Sequence, residues 1–95
     1  MAEYRLSNAA KEDLICIHHF RVEKFGIVQA DKYFDSLFDY FDLIASRPFL
    51  YESVDYINEG YRRCPCGSDT IYYRINHTVV EIMAIIGMQD FKNLL

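Results

Sequence analysis

The reactive side chains of this sequence are few, and their spacing decides what chemistry they can support. Cys64-x-Cys66, taken with His77 or with the adjacent His18-His19, is its one grouping of soft metal ligands. A structural zinc site normally presents a Cys pair with a longer spacer and a second ligand pair of similar spacing, and neither is present. In an extended strand Cys64 and Cys66 point to the same side and are expected to be small buried hydrophobes. His18 and His19 project about 100° apart on a helix and cannot chelate one ion together. One belongs near a helix–helix seam and the other at the surface. No Ser lies in a Gly-x-Ser-x-Gly turn, no glycine-rich loop opens a helix, and no Cys-His pairing is evident. The expectation is therefore no catalytic residue, no metal and no cofactor.

The charged residues say more, because they segregate. Between positions 31 and 59, Lys32 and Arg47 face seven acids: Asp31, Asp35, Asp39, Asp42, Glu52, Asp55 and Glu59. Between 60 and 80, Arg62, Arg63 and Arg74 face only Asp69. The aspartates read as a solvated helix stripe. The arginines read as a local positive patch suited to an acidic peptide, an acidic protein surface or an RNA backbone. The whole chain carries a net charge of −4, which disfavours a protein held on nucleic acid mainly by phosphate contacts.

These side chains need a scaffold, and 95 residues suffice for a single domain, 1–95. Hydrophobic residues make up 52% and glycine and proline are scarce, so disorder and low complexity are excluded. Aromatic residues reach 16%, more ring surface than so small a core needs, which points some of it toward a partner. There is no basic, apolar N-terminal leader and no apolar run long enough to span a bilayer. The three cysteines form no disulfide framework. The expected location is the cytoplasm.

Residues 2–6 alternate as a half-buried strand, and Ser7-Asn8 offers helix N-cap chemistry. Ala10, Leu14, Ile17 and Phe25 then share one helical face, with Gly26 as a stop. A stronger helical stripe follows through Ala30, Tyr33, Phe34, Leu37, Phe41 and Ile44, and Pro48 limits that helix to about Ser46 or Arg47. The two should pair as an antiparallel hairpin. From Phe49 to Gly60 the chain reads as an irregular, acidic and aromatic connection. Period-2 strands are expected at Tyr61–Cys66, Thr70–Asn76 and Val79–Ile86, with Pro65 placing the first on an edge or at a bulge. The order is β-α-α-β-β-β, an α+β fold: a helical hairpin on one face of a small, mainly antiparallel sheet.

The opening Tyr4-Arg5-Leu6-Ser7-x-x-Ala10-x-x-Asp13-Leu14 is followed by Phe25-Gly26-x-x-Gln29-Ala30-x-x-Tyr33 and Ala45-x-x-Pro48. Then come Glu59-Gly60-Tyr61-Arg62-Arg63, Cys66-Gly67-x-x-x-Ile71-Tyr72-Tyr73-Arg74 and the run Val80–Gly87. In order and spacing this resembles the RelE/ParE superfamily of type II toxin–antitoxin toxins, on its ParE branch, over nearly the whole chain. The resemblance implies inhibition of DNA gyrase through its cleaved-DNA complex, and neutralisation by a ParD-like antitoxin in a hetero-oligomer. Promoter DNA would be met only through that antitoxin. The alternatives are a RelE-like ribosome-dependent mRNA endoribonuclease and a non-toxic co-repressor. A nuclease wants several cations about a phosphate and an acid or base near the chain's end, whereas the last strand here offers Met83, Ala84, Ile85, Ile86 and Gly87 and the tail supplies only Asp90 and Lys92.

Within that resemblance, hydrophobic burial on the hairpin should dominate antitoxin docking, with the arginines pairing to antitoxin carboxylates. The candidate antitoxin-binding residues are Leu14, Ile17, Phe38, Tyr40, Arg62, Arg63 and Arg74. Phe38 and Tyr40, off the main stripe, are expected to be partly exposed. Candidate target-binding residues are Gly60, Tyr61, Met88, Phe91 and Lys92.

Overall fold

The computed structural model describes residues 3–87, and Met88, Phe91 and Lys92 lie outside the described residues. The elements are β1 (Glu3–Leu6), α1 (Asn8–Phe25), α2 (Ile27–Ser46), β2 (Tyr61–Cys66), β3 (Asp69–Asn76) and β4 (Val79–Gly87). The order is the expected one, with strand ends shifted by a residue.

Helix α1 starts because Ser7 caps it: the Ser7 hydroxyl accepts the Ala10 N–H at 3.0 Å. It ends at Gly26, whose φ of 89° is open to glycine and strained for other residues. Gly26 closes α1 through its N–H to the Val22 carbonyl and opens α2 through its carbonyl to the Ala30 N–H. One residue thus joins the two helices, tighter than a hairpin loop of several residues. Helix α2 buries Ala30, Leu37, Phe41 and Ile44 along its expected stripe, and Asp31, Asp35, Asp39 and Asp42 stand in solvent. Pro48 follows its last turn, as expected.

The sheet runs β1-β4-β3-β2; β1 and β4 are parallel and the other pairs antiparallel. Both helices lie on one face. The core joins Ala10 and Leu14 of α1, Leu37, Phe41 and Ile44 of α2, and Cys64, Cys66, Ile71, Tyr73, Val80, Ile82 and Ile85 of the sheet. Cys64 and Cys66 are buried hydrophobes, and burial pushes the Cys66 thiol up to about 12.

Strand β4 is where simple alternation fails. The β3–β4 register slips between Tyr72 and Tyr73, so that Tyr72 faces Ala84 and Tyr73 faces Ile82, which leaves Met83 as an extra residue. The slip changes the inward parity from Val80 and Ile82 to Ile85, and all three stay buried. β1 has ended at Leu6 by this point, so it cannot pair the rest of β4. The start of α1 takes over. Ser7 donates its N–H to the Ile82 carbonyl and its hydroxyl to the Met83 carbonyl, while Asp13 accepts the Ile85 N–H at 2.9 Å.

Pro65 sits on the edge strand β2, as expected, and its placement follows from hydrogen-bond parity. Tyr61 and Arg63 direct their backbone groups away from β3, to Val54 and Glu52. Pro65 has the same parity, so its missing N–H falls on the open edge and leaves the ladder whole. The bulge forms instead on β4.

Ser7→Ala removes both the cap and the hydroxyl bond to the Met83 carbonyl, and is expected to cost about 1–2 kcal/mol in urea unfolding with the m-value unchanged.

Candidate protein-docking site

Period-2 alternation in β2 separates the arginines that the sequence groups together. Arg62 points to the helix side with Cys64 and Cys66. Arg63 points to the opposite, outer face, where it stands beside Tyr72, and Arg74 stands there between Tyr61 and Glu81. The expected positive patch is therefore divided between two faces.

Each arginine is also engaged within the chain. Arg62 donates from Nη1 to the Tyr51 carbonyl at 2.7 Å and stacks 5.0 Å from the Phe49 ring centroid. Arg63 pairs with Glu52, and Arg74 with Glu81 at 2.7 Å. These carboxylates hold both guanidinium groups above their ordinary pKa. The outer face sets Arg5, Arg63 and Arg74 against Glu3, Glu52 and Glu81, a balance that leaves little field for a phosphate.

The apolar candidates also divide. Leu14 is only 4% exposed, packed in the chain's own core. This corrects its candidacy as an antitoxin-binding residue, because the α1 stripe that it shares faces the sheet. Ile17, Phe38 and Tyr40 are half-buried against that core, so the partial exposure expected of the two rings is what the structure has. Phe38 packs between Phe34 and Phe41, with centroids 5.1 and 5.2 Å away. Gly60 is exposed with φ of 80°, its N–H donated to Asp55, and Tyr61 is half-buried.

The most exposed large apolar side chains are others. On the hairpin they are Ile15, Phe20, Phe25, Ile27 and Val28. Phe25 was expected on the inner face, but it ends α1 at the hairpin tip, where it and Phe20 carry the cations Arg21 and Lys24. A shallow cleft runs between the helices, lined by Ile15, His18, His19, Asp31 and Phe34. His18 is the seam histidine, 2.8 Å from Asp31 and edge-on to Phe34, and His19 is exposed. The signal for these exposed groups was present in the sequence: Ile15 and Phe20 fall outside the inner face of α1, so that helix is apolar on several sides. Among the described residues no group of three or more His, Cys, Asp or Glu converges on a metal-sized site. No helix among them is long and apolar enough to cross a membrane.

The outer sheet face is thus largely charge-balanced, and the hairpin carries exposed apolar side chains. Residues 4–90 match the family described as ParE toxin of type II toxin-antitoxin system, parDE. Toxin ParE1 of Caulobacter vibrioides is 35% identical over 86 residues, which cover 90% of this chain and 88% of that one. The chain belongs to the ParE toxin family. Toxin ParE1 of Mycobacterium tuberculosis is 34% identical over 78% of this toxin and 76% of its own length. In three dimensions the toxin is similar to a chain of a solved structure titled as the chromosomal ParDE TA system of P. aeruginosa, with a TM-score of 0.81 and 16% identity. That alignment covers 92% of this toxin and 96% of that chain. A conserved Helicobacter pylori protein, HP0894, aligns at a TM-score of 0.51 and 12% identity over 96% and 99% of the two chains. At these identities the structural matches speak for the α+β fold alone.

A second apolar group, Phe49, Leu50, Tyr56 and Ile57, stands on the connection between α2 and β2. Tyr73, fully buried in the central sheet, pins its start by donating to the Pro48 carbonyl at 2.7 Å. Burial pushes the Tyr73 hydroxyl up to about 12, and burial with the Cys64 contact does the same for Tyr51. Both therefore keep their protons in the folded toxin at a pH where the unfolded chain, at its ordinary value of 10.0, has begun to lose them. Stability from these groups is complete below pH 10 and falls as pH rises toward 12. Urea unfolding at pH 9 and pH 11 should show lower stability at the higher pH, and Tyr73→Phe should reduce the difference.

Proposed function

We propose that this toxin blocks replication by inhibiting DNA gyrase, holding the enzyme in its cleaved-DNA complex through protein contact and without catalysis of its own. A ParD-like antitoxin neutralises it by covering the apolar strip of the helical hairpin. Family membership supports the toxin role. The observation that carries the non-catalytic reading is the pairing of Arg63 with Glu52 and Arg74 with Glu81 on the outer sheet face.

An RNA-cleaving site must activate a 2′-hydroxyl and stabilise a developing phosphorane, which calls for cations free to meet it and for a group able to move a proton. Here Arg63 and Arg74 of the outer face are already paired with carboxylates. The one ionisable group of the final described strand, Glu81, is paired with Arg74, and beyond it come Met83, Ala84, Ile85, Ile86 and Gly87, none of which moves a proton. The hairpin has what a docking helix or peptide requires: exposed Ile15 and Ile27 on the side of half-buried Phe34 and Phe38. With the chain at −4, burial of this strip and not overall charge attraction drives the association.

Supercoiling by purified gyrase decides the matter. The expected result is loss of supercoiling with accumulation of linear plasmid as the toxin is added. Arrested translation with supercoiling untouched would assign the toxin to the nuclease reading instead. Failure of both assays would leave a co-repressor.

Ile15 is 69% exposed in the cleft lining, so Ile15→Glu should fold normally. We expect it to weaken antitoxin binding by about tenfold or more, as measured by calorimetry, and to leave gyrase inhibition intact.

A further inference from the structure

Arg62, Arg63 and Arg74, the expected partners for antitoxin carboxylates, are each engaged within the chain. Arg21 of α1 is not. Its guanidinium carbon lies 3.6 Å from the centroid of the Tyr33 ring and 4.8 Å from that of Phe25. Among the described residues no carboxylate pairs with it. Its Nε is the one buried side-chain polar atom among them that meets no hydrogen-bond partner, and its Nη groups are uncovered and donate to none of them. An orphan buried donor is costly, and a residue kept for stability alone would be given an acceptor.

The ring beneath Arg21 is clamped. Tyr33 donates its hydroxyl to Asp69 at 2.5 Å and lies 3.2 Å from the Cys66 carbonyl. The turn at Gly67 packs so closely that a Cβ there would come within 3.0 Å of the ring. Asp69 is buried and committed to the hydroxyl end of Tyr33, and it makes no ion pair with Arg21. At 3.6 Å only a guanidinium lying nearly flat on the ring fits, because a tilted one would drive a nitrogen into it. Flat, it directs its N–H bonds outward past the rim of the ring. Glu23, two residues on, projects about 200° away around the helix. The charge of Arg21 is therefore unanswered among the described residues, whereas Arg63 and Arg74 are paired.

We propose that Arg21 is a specificity-determining contact for the antitoxin, receiving an Asp or Glu carboxylate from the segment that covers the hairpin. The inference rests on the antitoxin reading and adds to it the polar contact and the chemistry of its counterpart. Charge complementarity selects the occupant: a planar fork held flat on a ring matches the two oxygens of a carboxylate. A nucleic-acid phosphate offers similar oxygens, but a chain at −4 repels a polyanion. Phe20 and Phe25, 54% and 49% exposed on the same helix, suit a carboxylate flanked by apolar side chains. His18 lines the cleft and lies three residues before Arg21, so the two are neighbours on the helix surface. One segment can therefore fill the cleft and reach the guanidinium. Burial of the strip drives the association, and Arg21 selects the partner.

The test uses Arg21→Met, whose thioether packs on the same rings without the charge. Folding is checked by circular dichroism and urea unfolding, and Arg21→Lys, which keeps a charge but not the planar fork, replaces it should it misfold. Calorimetry with the toxin's own ParD-like antitoxin should show affinity reduced about tenfold or more for Arg21→Met and several-fold for Arg21→Lys, with a shallower salt dependence for Arg21→Met. Each antitoxin Asp or Glu is then changed to Asn or Gln. One such change should cost about as much as Arg21→Met, and combining the two should add little further loss. Affinity within about twofold of the unsubstituted toxin overturns the proposal. So does a loss that couples to no antitoxin carboxylate, which would leave Arg21 a structural role. Coupling of Arg21 to Asp90 of the toxin's own tail in urea unfolding overturns it too. A loss for Ile15→Glu with none for Arg21→Met strikes this inference and leaves the antitoxin reading standing. A coupled loss for Arg21→Met with none for Ile15→Glu upholds it and moves the contact away from the cleft. If the unsubstituted toxin does not bind the antitoxin, that reading fails and this inference with it.

Discussion

The fold depends on how the backbone of β4 is satisfied beyond the reach of β1. A four-residue parallel strand leaves the outer half of its partner with unpaired carbonyl and amide groups, and such groups are costly when buried. Ser7 and Asp13 supply the missing partners from the cap and early turns of α1. The same contacts fix where α1 begins and how it lies on the sheet. Through the single-residue link at Gly26, they also govern the direction of α2. The bulge at Met83 is part of this arrangement, since it shifts the inward parity and puts Ile85 rather than Ala84 beneath the helices.

With the hairpin fixed, the molecule sorts its side chains by face. The inner face of the sheet is occupied by the core, and on its outer face Arg74 pairs across strands with Glu81 while Arg63 pairs with Glu52 of the connection. The far side of the helices and the anchored connection after α2 carry the exposed large apolar side chains.

Much of the architecture was legible in the sequence because it rests on local rules. The alternation of Tyr4 and Leu6, the stripe from Ala30 to Ile44, Gly26 and Pro48 each act over a few residues, and each had its expected effect. The pairing of β1 with β4 is a relation across most of the chain, and the bulge at Met83 is set by β3 and α1, so neither can be read from β4 alone. The site was less legible. Arg62, Arg63 and Arg74 form a cluster in sequence, but strand parity and the partners Tyr51, Glu52 and Glu81 divide them. Leu14 stands as an antitoxin-binding candidate only until the sheet beneath it is known. The exposed rings of residues 49–57 resemble core material in composition, and only the bonds that hold their backbone reveal that they face outward.

Pro65 has a consequence for the life of the molecule. A toxin acts only when its antitoxin is gone, so the free protein must persist in a crowded cell with its binding surfaces bare. An open strand edge with a full set of amide donors would recruit other chains and end in fibrils or amorphous aggregates. On β2 the early part of that edge is covered by residues 52–54, and Pro65 removes a donor from the rest. The proline thereby denies a neighbouring chain one of the donors it would need to add a strand, a safeguard that rests on a nitrogen with no hydrogen to give.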